Sequence, residues 1–595
     1  MIRLQRSRTT ALAAVVLSAV ALTLIGQTAV AATPHSQTVR PLPIDPAHPG
    51  ARHANALAAL PHHNVPNMLL KELDALGNDD NNDAPAVSAL CQSFLGHPNP
   101  FPAIAPNVDV ISGDGVAPAG SQAGCSTPQN ETTVAVNPFN PKNIVAGSND
   151  YRIFNSRENR NDASGWAYTS LDGGKTWKNV ELPNLNFQSG APAPLSFMDS
   201  AGDPAIAFGP FNTVYYTTLV FSRAATPANE QPATGIAVSV SHDGGLTFGN
   251  PAIIELDGVN PDGTPAPSSV FNDKEWVAAD PLSGTVYVTW TQFTFDSSGN
   301  LIDSPIMESV SHNFGRTWTP KVQVSPDMNN FHGGITSNST GSNPQVANDG
   351  TLFIAYETSV CQTAACNAPT DHDAVVMATS HDGGKTFTNT EVALDFDFPF
   401  NQDVGDNTLT GEHFRINSFP QLAYDRITGR LWVTWADDSH GEYANGQSVK
   451  TNGDAFLTSS ADGQHWTKPI TLGTPQDEVF SAVSALGNVI AVSFYTRHFD
   501  PTGVGLDYAY VSGAGRSIAN SPLHRITTAT SDPRLQFAGI GQVSGQVLQG
   551  VFIGDYTAMA VGADFRIHPV WMDFRGNPGT NTPNQDVNTQ SIPLF

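Results

Sequence analysis

The stretch Ser170-Leu-Asp172-Gly-Gly174-Lys-Thr176-Trp177 recurs along this chain at a nearly constant spacing. The other copies are Ser241-His-Asp243-Gly-Gly245-Leu-Thr247-Phe248, Ser311-His-Asn313-Phe-Gly315-Arg-Thr317-Trp318, Ser380-His-Asp382-Gly-Gly384-Lys-Thr386-Phe387 and the shorter Ser460-Ala-Asp462-Gly-Gln-His-Trp466. From residue 172 to 243, 313, 382 and 462 the steps are 71, 70, 69 and 80 residues. A fixed period of this kind predicts a repeat architecture rather than several unrelated domains.

The residues of the repeated stretch indicate a tight turn. An Asp side chain in a turn accepts hydrogen bonds from backbone N–H groups two or three residues further on, and Gly tolerates the positive φ that a tight hairpin needs. The aromatic residue that follows returns the chain to the apolar layer. We therefore expect a purely structural role for Asp172, Asp243, Asn313, Asp382 and Asp462.

A second repeat consists of an apolar hairpin, and it occurs seven times. The copies are Thr133–Val136 with Ile144–Ala146, Ala205–Phe208 with Val214–Thr217, Trp276–Ala279 with Val286–Trp290, Gln345–Ala347 with Leu352–Tyr356, Gln421–Tyr424 with Leu431–Trp435, Ala482–Ala485 with Val489–Phe494, and Ala558–Val561 with Ile567–Trp571. Such nearly continuous apolar runs are typical of strands buried on both faces.

The pattern Ser-x-Asp-x-Gly-x-Thr-Trp resembles the Asp-box, or BNR repeat, of the sialidase superfamily of β-propellers. The resemblance implies an all-β propeller of four-stranded antiparallel blades over residues 104–595, with each box on the turn between the third and fourth strands. Seven hairpins favour seven blades, and six, the number in sialidases, is the alternative. The last unit ends after one further candidate strand near Val587–Ile592, so we expect Asn107-Val-Asp-Val-Ile111 to supply its outer strand.

The N-terminal residues 1–31 are typical of a secretory signal. Arg3, Arg6 and Arg8 precede an apolar run from residue 11 to 25, and Ala29-Val-Ala31 ends it with small residues. A retained membrane anchor is the alternative. Residues 32–103 are predicted to form a pro-region or linker, and no later stretch approaches the roughly 18 apolar residues that a membrane helix needs.

Charge and cysteine content narrow the class of protein further. Without the three Arg of the signal, the formal charge goes from −26 to −29, and such a polyanion repels nucleic acid. Export makes disulfide pairing the default for the four cysteines, with Cys361–Cys366 and Cys91–Cys125 favoured and other pairings open. We expect a monomer without a cofactor or catalytic metal, and a structural Ca²⁺ is left open.

Propeller geometry selects the candidate site residues. The first strand of a blade begins, and the second ends, on the same face of the disc, so residues at these two positions are expected to surround a central mouth. Second strands end near Asp150, Arg152, Arg223, Glu357, Asp437, Asp438, Arg497, Asp573 and Arg575, and first strands begin near Glu131, Asp203, Asp273, Glu275, Arg415, Glu478, Asp555 and Tyr556.

The sialidase resemblance implies roles for some of these residues. Arg152, Arg497 and Arg575 would bind the substrate carboxylate, with Arg415 as a further substrate-binding residue. Asp162 would be the general acid, Tyr556 the nucleophile and Glu478 its base. Sialidases carry Phe/Tyr-Arg-Ile-Pro on the first strand of the first blade, where this chain has Glu131-Thr-Thr-Val-Ala.

Two functions are consistent with this pattern. The first is a secreted glycoside hydrolase of the exo-α-sialidase type, which cleaves terminal acidic sugars from glycoconjugates by a retaining mechanism. The alternative is a non-catalytic exported propeller that binds glycan or protein, in which the charged residues of the mouth pair with one another or hold a cation. Convergence of three arginines on one point of the mouth would distinguish the hydrolase from the binding protein.

Overall fold

The chain folds into a β-propeller of seven four-stranded antiparallel blades, as the sequence predicts. The computed structural model describes residues 88–94, 97, 101, 103–114, 125, 127–223, 231–297, 301–326, 339–360, 372–396, 398–444, 447–576 and 584–594. The predicted signal and the cysteines Cys361 and Cys366 lie outside these residues. No helix within the described part is long and apolar enough to cross a membrane.

Each of the first four blades is continuous in sequence. Blade 1 comprises Gln129–Val136, Ile144–Asn155, Arg160–Ser170 and Lys178–Glu181. Blade 2 comprises Ser200–Phe208, Val214–Phe221, Thr234–Ser241 and Ala252–Asp257. Blade 3 comprises Val270–Ala279, Val286–Phe295, Ile306–Ser311 and Val322–Gln323, with Leu301–Asp303 added beside its second strand. Blade 4 comprises Ser339–Val346, Leu352–Val360, His372–Ser380 and Thr388–Asp395.

The remaining blades complete the ring. Blade 5 comprises Gln421–Asp425, Arg430–Asp437, Asp454–Ser460 and Ile470–Thr471, and blade 6 comprises Glu478–Leu486, Val489–Thr496, Asp507–Ala514 and His524–Arg525. Blade 7 comprises Ala558–Val561, Arg566–Asp573, Asp586–Thr589 and Val108–Asp109, with Ile592–Pro593 also paired to its second strand. Small hairpins are formed by Phe400–Asn401 with Asp406–Asn407, Glu442–Ala444 with Gln447–Lys450, and Ala538–Ile540 with Val547–Gln549. The helical segments are Ala89–Gln92, Leu195–Phe197, Gly515–Asn520 and Pro533–Leu535.

The ring is closed by the N-terminal segment, as predicted. Val108 pairs with Thr589 and Asp109 with Asn588, so the segment forms the outer strand of blade 7 and covers the edge of the third strand. The next two residues, Val110 and Ile111, are 1% and 4% exposed and pack between blades 7 and 1. A disulfide joins Cys91 to Cys125, which is one of the two predicted pairings.

We predict that Ile111→Ala destabilises the whole propeller, because it removes a buried side chain from the closure between blades 7 and 1. Ile→Ala in a packed core costs about 2–5 kcal/mol of unfolding free energy. Chemical denaturation measures the loss. Ile302→Ala, at a side chain that is 49% exposed, is the control. Equal stability of the two variants would contradict the closure.

The Asp-boxes are turns stabilised by their own side chains. In the first box, Oδ1 of Asp172 accepts the backbone N–H groups of Lys175 and Thr176, both at 3.0 Å, and Oδ2 accepts the Thr176 hydroxyl at 2.7 Å. Asp243 and Asp382 repeat these contacts within about 0.1 Å. Every carboxylate oxygen is used within its own turn, which is what a structural role requires.

The box glycines of blades 2–5 also bring each of these blades close to the one before it. The glycine has a positive φ in each box, for example +94° at Gly245. A Cβ added there would lie 2.5 Å from Cγ2 of Val145 in the preceding blade, and one added at Gly463 would lie 2.6 Å from Cε1 of Phe353. A larger residue therefore cannot be accommodated at these positions without moving the neighbouring blade.

In blade 4, the space that a Cβ at Gly384 of the box would need is occupied by the carboxyl of Glu308. This side chain is 1% exposed. Neither of its oxygens meets a hydrogen-bond partner within the described residues. Burial, followed by the negative charge of Asp382, raises the pKa of Glu308 well above its ordinary value of 4.5. The carboxyl is therefore kept protonated in the folded protein at pH values where the unfolded chain has released the proton.

We predict that Glu308→Gln stabilises the protein at pH 7 and leaves it unchanged near pH 4. Because the folded-state pKa is raised, the folded state binds the extra proton between pH 4.5 and that pKa, and stability falls as pH rises through this window. The amide cannot ionise, so it removes this penalty. Thermal unfolding at both pH values measures the difference, with exposed Glu158→Gln as control. A pH-independent difference would contradict the prediction.

Candidate functional site

The innermost strands of the propeller carry the same β-bulge in five blades. The register shifts by one residue between Asn130 and Thr133 in blade 1, and at the equivalent place in blades 2, 3, 4 and 6. The first residue of each bulge has a left-handed backbone, and these residues are Glu131, Asp203, Lys274, Gly341 and Phe480. Bulges re-aim side chains and often lie beside active sites. Non-glycine residues with this backbone carry strain that tends to occur at functional sites.

Register identifies the equivalent residues in the other two blades. The bulge residue precedes the next paired residue by two positions, which gives Phe419 in blade 5 and Tyr556 in blade 7. The ring of seven positions is therefore charged in blades 1–3, glycine in blade 4 and aromatic in blades 5–7. We call this set the mouth ring. It is asymmetric, and its charged half marks one side of the channel as chemically distinct.

Lys274 is the centre of the charged half. Its ammonium group forms an ion pair with Asp555 of blade 7, lies 3.2 Å from Oδ2 of Asp203 and lies 3.9 Å from Oε1 of Glu131. The Lys274 side chain is 9% exposed, so these contacts are formed away from bulk water. Burial disfavours the charged amine, but the carboxylates, led by Asp203, outweigh it and raise the pKa of Lys274.

Arg415 joins this cluster from the connection between blades 4 and 5. Its Nε and Nη2 donate to the two carboxylate oxygens of Asp555, both at 2.7 Å. Its guanidinium carbon also lies 4.7 Å from the ring centre of Phe552. Burial opposes ionisation of Asp555, but Arg415 and Lys274 lower the pKa of its carboxyl below the ordinary value. Arg415 and Asp555 thus bridge the mouth between non-adjacent blades.

A pocket opens beside this cluster, and we call it the mouth pocket. It encloses about 650 Å³, including the part open to solvent. Its polar lining includes Glu131, Asp203, Asp273, Lys274, Arg223 and Arg415, and its aromatic lining consists of Tyr151, Phe221, Phe271 and Phe552. Concave sites with aromatic walls and a few converging charged groups are typical small-ligand sites.

Two carboxyl groups of the mouth pocket hold protons more tightly than usual. Burial, followed by the charge of Asp203, raises the pKa of Glu131 well above 4.5, and Oε2 of Glu131 accepts the amide of Asn149 at 2.8 Å. Burial raises the pKa of Asp273 to about 8. Perturbed carboxyls that face a pocket are candidates for acid–base chemistry.

The predicted anion-binding arginines are paired with different carboxylates in the structure. Arg152 forms a bidentate pair with Asp150 of its own blade, at 2.9 and 2.7 Å. Arg575 does the same with Asp573, at 2.8 and 2.6 Å. Arg497 contacts Asp477 and Glu412, at 2.9 and 2.7 Å. Each guanidinium is held by its own carboxylate partners, and the residues that line the mouth pocket do not include any of the three.

The other predicted residues are also dispersed. Asp162 is paired with Arg223 at 2.6 Å, and although burial opposes ionisation, Arg223 lowers the pKa of the Asp162 carboxyl. Glu478 accepts the hydroxyl groups of Thr474 and Thr496, both at 2.7 Å, within blades 5 and 6. Of the residues to which the resemblance gives a role, Arg415 and Tyr556 lie in the mouth ring and its cluster, together with the predicted mouth residues Glu131, Asp203 and Asp555. Their roles on a substrate stay predictions.

Tyr556 lies beneath the charged cluster. Its hydroxyl donates to the backbone carbonyl of Pro204 at 3.4 Å, and its ring packs edge-on against Trp276. Burial raises the pKa of Tyr556 well above 10. The hydroxyl therefore retains its proton, which is the opposite of the activation that a Tyr nucleophile needs.

The sequence did not single out Lys274, although it named both neighbours of this residue. In sequence, a Lys between Asp273 and Glu275 is typical of a solvated surface. The bulge of blade 3 turns the Lys274 side chain into the mouth. The repeat itself could have identified Lys274, since an alignment of the seven hairpins places Glu131, Asp203 and Lys274 at one equivalent position.

Within the described residues, no group of three or more His, Cys, Asp or Glu side chains is arranged to hold a metal ion.

No protein-family model and no curated protein matches this sequence. Among solved structures, a protein of unknown function from Dyadobacter fermentans is 12% identical, with 66% of this chain aligned to 95% of that one at a TM-score of 0.41. A Hadza microbial sialidase is 13% identical, with coverages of 76% and 73% and a TM-score of 0.38. An alpha-L-arabinanase of Penicillium chrysogenum, complexed with arabinobiose, is 15% identical, with coverages of 66% and 94% and a TM-score of 0.38. Matches this distant assign no activity to the chain.

We predict that Lys274→Met costs about 3–5 kcal/mol of unfolding free energy at pH 7, because it leaves buried carboxylates without their cation. Without Lys274 the folded-state pKa of these carboxyls rises, so the loss is greatest above their ordinary pKa and shrinks as pH falls toward 4. Denaturant unfolding at pH 7 and 4 measures it. Lys142→Met, in an exposed turn, is the control. A loss that does not change with pH would contradict the charge network.

Proposed function

We propose that this chain is an exported glycoside hydrolase that cleaves a terminal neutral sugar in the mouth pocket. The observation that carries the proposal is the pair of neighbouring carboxyls, Glu131 and Asp203, presented by equivalent bulges of adjacent blades. Glu131 is held in the protonated form, whereas Asp203 is ion-paired with Lys274. Export is part of the proposal and is supported by the Cys91–Cys125 disulfide.

Glycoside hydrolysis needs two carboxyl groups in different protonation states. One donates a proton to the leaving oxygen, and the other acts on the sugar carbon directly or through water. Glu131 has the raised pKa that a general acid requires, and Asp203 is the partner carboxylate. Lys274, at 3.2 Å from Asp203, stabilises that negative charge without removing it from the pocket.

The walls of the pocket fit a sugar ring. Phe221 and Phe271 belong to blades 2 and 3, and Phe552 and Tyr151 lie on the other side. Aromatic faces pack against the apolar C–H faces of a sugar, and the polar residues between them supply hydrogen bonds.

The charges of the pocket favour a neutral sugar over an acidic one. Each pocket-lining cation already has a carboxylate partner, because Arg223 pairs with Asp162, and Arg415 and Lys274 both pair with Asp555. An acidic substrate would have to compete with these buried pairs, and it would also face Glu131 and Asp203. Sialoside hydrolysis, which the sequence predicts, requires arginines free to bind the substrate carboxylate.

We predict that Glu131→Gln lowers kcat/KM on neutral glycosides with alkyl leaving groups by about 10²–10⁴-fold, the usual contribution of a general acid. On dinitrophenyl glycosides the loss is much smaller, because that leaving group departs without protonation. Asp203→Asn loses activity on both substrate types. For the wild type, activity persists above pH 4.5 and falls only as pH passes the raised pKa of Glu131.

The assay uses purified full-length protein on a panel of fluorogenic pentosides, hexosides and a sialoside. Glu158→Gln, an exposed carboxyl in the same blade as Glu131, controls for the loss of one charge and retains wild-type rates. Release of sugar from the sialoside alone would overturn the neutral-sugar assignment. No release from any glycoside, with the fold intact, would favour the binding-protein alternative.

A further inference from the structure

The hairpin formed by Ala538–Ile540 and Val547–Gln549 exposes an aliphatic surface at the rim of the mouth. Ile540 and Val547 are direct partners in its ladder, and Val543 lies in its turn. Their exposed fractions are 64%, 60% and 73%. Three large aliphatic side chains in one short hairpin therefore point to water in the free protein.

The opposite side of the hairpin is firmly anchored beside the mouth pocket. Leu548 packs in one cluster with Phe537 and Phe552, and Phe552 lines the pocket. The turn is fixed by Asp403, whose Oδ1 accepts the backbone N–H groups of Val543 and Ser544 at 2.9 and 2.7 Å. The aliphatic surface is thus presented in one arrangement, and little conformational entropy is lost when it binds.

The hairpin and its flanking residues carry no charged side chain of their own, and the carboxylate of Asp403 reaches the turn from another segment. No Asp, Glu, Lys or Arg occurs between Arg534 and Asp555, although the whole chain has 28 basic and 54 acidic residues. Charge depletion together with exposed aliphatic residues is the composition of a segment that enters the interface of a lipid bilayer, where charged groups are disfavoured.

We propose that this hairpin docks the protein on a neutral or zwitterionic lipid surface, with the mouth turned toward that surface. The three side chains form a patch far smaller than the roughly 800 Å² per partner that a stable protein interface buries. They are aliphatic, whereas sugar rings are bound by aromatic faces. The formal charge of −26 excludes attraction to an anionic membrane, so apolar insertion is the driving force.

This surface binding goes beyond the proposed hydrolase and does not depend on it. Docking by the hairpin would place the mouth pocket next to head groups at the surface, so that the pocket could receive a sugar carried by a lipid. Insertion of three aliphatic side chains gives weak and reversible attachment, since even a single acyl chain binds membranes marginally.

The test is cosedimentation of the full-length protein with phosphatidylcholine vesicles, and with vesicles that also contain phosphatidylglycerol. Wild type is expected to bind the zwitterionic vesicles and to bind the anionic ones less. The triple variant Ile540→Ser, Val543→Ser, Val547→Ser is expected to bind at least about tenfold more weakly. The matched control is Phe211→Ser, Leu282→Ser, Ile427→Ser, which removes side chains 83%, 76% and 63% exposed on the turns of the opposite face. The control retains wild-type binding.

A second variant, which is expected to bind more tightly than wild type, keeps the test valid if the triple variant does not fold. Val543→Trp is expected to bind phosphatidylcholine several-fold more tightly, because Trp prefers the bilayer interface. The fluorescence of the introduced Trp should shift to the blue when the variant binds vesicles, and brominated lipid should quench it. Failure of wild type to bind, equal loss in the opposite-face control, or unchanged Trp emission would overturn the proposal. A wild-type dimer in solution that the triple variant abolishes would instead identify a second copy of the chain as the occupant.

Discussion

The close approach of blades 2–5, each to the preceding blade, is the constraint on which the propeller depends. It is enforced at the Asp-boxes, where Gly245 and Gly463 leave no room for a side chain against Val145 and Phe353. Because the blades are wedged together in this way, their first strands meet around the axis. The N-terminal strand at Val108–Asp109 then completes blade 7 and so joins the beginning of the chain to its end.

The chemistry of the mouth follows from this packing together with the bulges. Glu131, Asp203 and Lys274 have φ values of 55°, 50° and 52°, a conformation that costs roughly 1–3 kcal/mol per residue unless the surroundings favour it. Here the surroundings favour it electrostatically. The bulge turns one cation and its carboxylate partners toward each other, and their attraction in a dry environment offsets part of the backbone strain. Strain and charge pairing therefore support each other at the same three positions.

Most of the fold could be predicted from the sequence, because both the boxes and the apolar hairpins recur with a regular period. The seven apolar hairpins correspond to first and second strands, and the shortage of one strand in the last unit correctly indicated closure by residues near Asn107. The site was less predictable. Arg152 lies two residues from Asp150, and Arg575 lies two residues from Asp573. Both pairs close within their own blades, and neither arginine is among the residues that line the mouth pocket.

The protons in the mouth follow from counting its charges. Lys274 and Arg415 are two cations, and they face the four carboxyl groups of Glu131, Asp203, Asp273 and Asp555. A buried cluster approaches neutrality because unpaired charge in a low-dielectric environment is costly. Two cations balance two carboxylates, so two of these carboxyls keep protons, as does Glu275 beside Asp203, because burial raises its pKa well above 4.5. The raised pKa values of Glu131 and Asp273, and the lowered one of Asp555, agree with this count. The same balance that stabilises the mouth therefore keeps a proton on Glu131, as the proposed acid catalysis requires.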